Sequence, residues 1–306
     1  MSVILDPMLT TVTQDAKARQ SAQKPWLPRD RKLLGGALLI AALVAAAYCR
    51  VLAKLVTDWW QIADFSHGFL VPPFAAYVLW RKRDRLLATG IAPSWSGVAL
   101  VFFGLLVLLL GVYGSELFLS RISLVMVLAG LVLGFGGRKQ LAEMRFALLV
   151  LLLAIPIPAI LYTQITFPLQ ILASKLASDL LPLFGVPVLR EGNVIQLPAM
   201  SLEVAEACSG IRSLMSLLTL AIFYGYFLER STWRRVALAF ASLPIAIAAN
   251  AVRLLGTGLS VQYWDPEKAM GFFHEFSGWV MFLVSLACLV GVDQAMGVFP
   301  RKRRQA

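Results

Sequence analysis

The stretch Gly97–Tyr113, GVALVFFGLLVLLLGVY, runs for 17 residues without a charge. As a helix it spans about 26 Å, close to the ~30 Å hydrocarbon core of a bilayer. Lipid offers backbone groups no hydrogen-bond partners, so only helices and closed barrels are stable there. Barrel strands alternate apolar and polar residues over about ten positions, and this stretch does not alternate. It reads as a transmembrane helix.

Seven further apolar stretches lie around it: Leu33–Leu55, a weaker Phe65–Trp80, Leu117–Phe135, Phe146–Tyr162, Cys208–Leu228, Val236–Gly258 and Gly278–Phe299. The expected fold is therefore an all-α, polytopic integral membrane bundle of about eight transmembrane helices. Composition agrees: 59% of the 306 residues are hydrophobic and 15% charged, against about 45–50% and 25% in soluble domains. That excludes an ordinary soluble protein and a disordered one. A formal charge of +11 would in a soluble chain suggest nucleic acid. Here, twenty of the 28 basic residues fall in five segments: the tail before Leu33, Arg81–Arg85, Arg138–Arg145, Arg230–Arg235 and Arg301–Arg304. These alternate with poorly charged loops. The positive-inside rule then puts both termini in the cytoplasm and makes anionic lipid the expected partner, with no nucleic acid needed.

The expected organisation is a basic, disordered tail over 1–32, a transmembrane domain over 33–299 and a basic cytoplasmic tail over 300–306. Ala45-Ala46-Ala47 has the look of a signal-peptidase site. The polar tail before that span is too long for a signal peptide, so the span is read as retained. On the outer side the longest connection runs from about Thr163 to Ala207. In it Ile165, Leu169, Leu172, Leu176 and Leu180 recur at helical spacing, which predicts an amphipathic helix on the membrane surface. Pro182, Gly185 and Pro187 end it, and Glu191-Gly192-Asn193 predicts a short hairpin over Val188–Leu202.

Three polar residues stand where lipid or its interface is expected. Cys208 opens the sixth span, where free backbone N–H groups and the helix dipole would favour a thiolate or hold an oxyanion. A buried structural cysteine is the plainer alternative. Arg253 lies in the seventh span, about 18 residues past Arg235, hence near the outer end. An intramembrane arginine marks function by default, unless it snorkels to the interface. His274, one of two histidines, precedes the eighth span and suits a general base, or simply an interfacial position beside Trp279. The topology puts all three at the outer face. His67, in Asp64-Phe65-Ser66-His67-Gly68, is there too and competes for the role of base. Cys49 and Cys288 show no metal spacing and read as packing residues, and no metal or cofactor motif is evident.

The segments Ala207-Cys208-Ser209-Gly210-Ile211-Arg212, Asn250-Ala251-Val252-Arg253, His274-Glu275-Phe276-Ser277-Gly278-Trp279 and Phe65–Pro72 occur in this order. Together they resemble the exosortases and their archaeal relatives, the archaeosortases, over about residues 35–298. The resemblance implies a membrane-embedded cysteine transpeptidase in the bacterial inner membrane. Its partners would be exported proteins ending in a sorting tail: a Pro-Glu-Pro-like motif, a transmembrane helix and a basic cluster. It implies Cys208, Arg253 and His274 as catalytic residues, with His67, Ser209, Arg212 and Asn250 binding substrate or supporting the site. It implies no cofactor and leaves the acceptor unknown. Within the family the chain resembles a B-type exosortase.

Two other functions fit the bare residues. One is an intramembrane protease that only hydrolyses, the other a non-enzymatic transporter or channel. Paired broken spans in two symmetric halves would favour transport, and the sequence shows no such symmetry.

Overall fold

The computed structural model describes residues 31–204, 210–264 and 272–298. It divides into two units, 1–50 and 51–306. The described part of the first unit is the leading portion of helix α1 (Arg31–Gln61), whose Leu38, Leu39 and Leu43 are exposed. The second unit continues α1 and then runs through a 3-10 segment (Ala63–Leu70), α2 (Val71–Arg81), α3 (Arg83–Ala88), α4 (Trp95–Tyr113), α5 (Leu117–Phe135) and α6 (Gly137–Leu151). There follow α7 (Ala159–Leu180), strands β1 (Leu189–Glu191), β2 (Val194–Gln196) and β3 (Ser201–Glu203), then α8 (Ile211–Phe227), α9 (Thr232–Tyr263) and α10 (Phe272–Val298). The chain is an all-α polytopic membrane protein with one small sheet. Leu189 pairs with Gln196, and Val194 with Glu203, so the expected hairpin gains a third antiparallel strand.

Among the described residues, five helices are long and apolar enough to cross a membrane, six if one bent pair counts as a single span. The other two expected spans are shorter or broken. Val71–Arg81 has 11 residues and is preceded by the eight-residue 3-10 segment. Ile211–Phe227 has 17. These two pieces run side by side and parallel. Asp64 pairs with Arg212, Phe74 stacks on Phe223 (3.7 Å between centroids), and Arg81 pairs with Glu229. The first and last ties share one sequence offset, 148 residues. The 3-10 segment and α2 together therefore traverse the same depth as α8.

The predicted fifth span, Phe146–Tyr162, straddles the break of the bent pair, Gly137–Ala154 and Ala159–Phe184. Its two parts meet at 77°, where Ile155-Pro156-Ile157-Pro158 removes two backbone donors and forces extended backbone before each proline. The surface helix accordingly begins at Ala159. Its buried face is not the leucine stripe but Thr166, Gln170, Ala173, Ser174 and Ala177. Small residues let the sheet approach: Ser174 Oγ donates to the Gly192 carbonyl at 2.9 Å. The outer residues Ile165 and Leu172 stay exposed, as an apolar face resting on lipid would.

Helix α9, with 32 residues, is about 48 Å long, well beyond a hydrocarbon core. Its last turns pack Leu254 and Val261 into a cluster with Leu181, Val186, Ile195 and Leu202. Tyr263 Oη donates to the Phe184 carbonyl at 2.8 Å. The α4–α5 hairpin is closed by glycines. A Cβ on Gly97 would lie 2.1 Å from the Gly134 nitrogen, and one on Gly104 2.9 Å from Val127 Cγ2. Small residues of this kind let membrane helices touch backbone to backbone. Phe102, Phe103 and Leu110 on the opposite face are exposed. Cys49 and Cys288 are exposed as well, so the reading of both as packing residues is corrected. They stand on outward faces of apolar helices, where a thiol behaves as a small hydrophobe.

Candidate active site

Cys208 and Ser209 lie outside the described residues, and so does the side chain of His274, although α10 includes its position. Their neighbours are described, and they meet. Gly210, two residues past Cys208, caps α8 in the left-handed region with φ 80°. A Cβ there would stand 3.0 Å from Asn250 Cβ and Cγ. Asn250 is buried at 5% exposure, one turn before Arg253 on α9. The half-buried Arg253 lies against α10: a Cβ on Gly278 would be 3.6 Å from its Cζ. Gly278 stands one helical turn after His274. Three segments far apart in sequence are thus joined through Asn250 and Arg253.

Arg212, in the first turn of α8, donates from Nε to Asp64 Oδ1 at 2.7 Å. The other oxygen of Asp64 accepts from the Tyr162 hydroxyl. His67 is 6% exposed, and its Nε2 donates to the Leu153 carbonyl at 3.1 Å. Trp59 Nε1 donates to the next carbonyl, Ala154, at 2.8 Å. Both carbonyls are left without helical donors at the α6–α7 break. Gly68 is needed beside them, because a Cβ would fall 2.3 Å from the Trp59 indole. The Asp64–Gly68 motif therefore plugs a broken span, and His67 serves as a cap for that break.

Sequence reasoning missed several members of this frame. Asp58 and Arg121, 5% and 3% exposed, form a buried pair to which Lys54 adds a second contact at 2.8 Å. Arg121 stands inside an apolar run, and that alone marks it. At the far end of the bundle, fully buried Asp293 accepts from Arg230 (2.6 Å), Arg234 (2.9 Å) and Tyr224 (3.1 Å). Its hydrogen bond to the Asp293 carboxylate pushes the Arg230 pKa up. Asp64 and Tyr162 are too far apart in sequence for any spacing to pair them.

A helical membrane protein that buries charged and polar residues among its spans is the class these features define. The model of the family described as transmembrane exosortase (Exosortase_EpsH) matches residues 59–291. The chain belongs to that family, whose members are in general membrane enzymes of cysteine-peptidase type. No curated protein and no solved structure matches it.

Proposed function

We propose that this protein is a membrane cysteine transpeptidase that cleaves the sorting tail of exported proteins at the outer face of the bacterial inner membrane. The Arg81 end of the bundle faces the cytoplasm and the Asp64 end faces out. The observation that carries the reading is the junction of the Gly210 turn, Asn250, Arg253 and Gly278. It supports the reading because residues that flank Cys208 and His274 in sequence meet there around Asn250 and Arg253.

In this reading the Cys208 thiolate attacks the scissile carbonyl carbon. Arg253 stabilises the resulting oxyanion with its planar fork of donors. Collapse breaks the C–N bond. The departing amine takes a proton from the His274 imidazolium, and a thioester remains on Cys208. An acceptor nucleophile or water then attacks the thioester, gives its proton to the neutral His274 imidazole and releases the thiolate. The sorting tail, with its apolar helix and basic cluster, docks alongside the bundle with its basic end in the cytoplasm. Asn250 and Ser209 support the site.

The test uses a reporter that ends in such a tail. The expected result is an enzyme–reporter adduct that hydroxylamine releases, since hydroxylamine cleaves thioesters. The mass of the new C-terminus tells transfer (added mass) from hydrolysis (free carboxylate). Processing with no adduct under any quench would overturn the covalent route.

A further inference from the structure

Helix α8 begins at a turn held from two sides. Asn250 packs against Gly210, and Asp64 binds Arg212, the second residue of the helix. Asp64 is itself held, because its second oxygen accepts from Tyr162 on α7. Its side chain is 14% exposed, and that of Arg212 49%. The tie at the other end of the same two segments, Arg81–Glu229, has side chains 40% and 67% exposed. Solvent and screening weaken an exposed carboxylate's ion pair, and Asp64 is both shielded and held by a second donor. The two ties thus differ in the carboxylate, which is shielded at the Asp64 end and open at the other. One carboxylate also links three elements there: the 3-10 segment, α7 and α8.

We infer that Asp64 is a positioning residue for the proposed reaction: through Arg212 it fixes the first turn of α8, and so the place from which Cys208 meets substrate. This rests on the reading of Cys208 as the nucleophile. A 1 Å displacement of a reacting group can cost about 100-fold in rate even when substrate still binds. The signature is therefore a loss in kcat rather than a rise in KM.

The experiment uses the full chain in detergent, in a Cys49→Ser/Cys288→Ser background, with the sorting-tail reporter as substrate. Rates are expressed per alkylatable Cys208 thiol, which corrects for misfolded protein. Asp64→Ala should lower kcat about 10- to 100-fold and change KM less than about threefold. Asp64→Glu should recover part of the loss. Asp64→Ala/Arg212→Ala should be no worse than the poorer single variant, because both break one link. A kcat within about twofold of wild type, or single losses that multiply in the double variant, would overturn the inference. If Asp64→Ala does not fold, Tyr162→Phe, which loosens Asp64 from one side, should still lower kcat, and an unchanged kcat there overturns the inference. Cys208→Ala is measured in parallel. Activity surviving in it defeats the nucleophile reading, whereas activity lost there but kept in Asp64→Ala defeats only the positioning role.

Discussion

In the proposed reaction the two histidines of the chain do different work. His67 spends its Nε2 hydrogen on the Leu153 carbonyl at the α6–α7 break. A glutamine amide can make the same donation, so His67→Gln should keep processing within a few-fold of wild type. His274→Gln should lose about 100-fold or more, the usual worth of a general acid–base. Initial rates on the tailed reporter check both, and equal losses in the two would contradict the division of roles. The Asp58–Arg121 pair poses a different question, one of stability. Asp58→Asn leaves the guanidinium of a 3% exposed arginine without its carboxylate. Stripping one partner from a buried ion pair costs about 3–5 kcal/mol. A denaturant titration in detergent should show that loss, and Asp58→Leu/Arg121→Met should recover most of it. Nothing in the sequence paired these two residues, because the contact between α1 and α5 is a property of the fold and not of any repeat.

At the scale of elements, the apolar runs marked the helices well where a helix was straight. Gly97–Tyr113 and Leu117–Phe135 match α4 and α5 within about two residues. Hydropathy failed where a helix breaks. It read Phe146–Tyr162 as one span, since isoleucines alternate with the prolines at 155–158 and keep the run apolar across a 77° bend. The leucine spacing of α7 marked the face left exposed, but not the small-residue side that the sheet takes. The glycine seam between α4 and α5 gives a direct test. Gly97→Val forces a side chain into the Gly134 backbone. It should cost about 1–3 kcal/mol or more in the same titration. Gly256→Val is the control, because nothing lies within 4 Å of a Cβ there; apart from the chosen position the change is the same. Equal effects at both sites would show that the seam does not hold the hairpin.

Across the whole molecule, charge carried more information than any motif. The segments that the positive-inside rule groups on one side meet in the structure, as Arg81 with Glu229 and Lys82 with Glu143. The four motifs of the candidate site were legible as residues, but their meeting was not. Asn250 against Gly210 and Arg253 against Gly278 are contacts between helices tens of residues apart. The frame around them, Asp64 with Tyr162 and Arg212, depends on a broken span that hydropathy smooths over. The central claim concerns one sulfur atom. Cells expressing the tailed reporter with wild-type enzyme, Cys208→Ala or Cys208→Ser, at matched membrane levels, measure it most directly as the fraction of reporter cleaved. The account predicts cleavage with wild type, none with Cys208→Ala and at most a trace with Cys208→Ser. Cleavage by Cys208→Ala at the wild-type rate would contradict it.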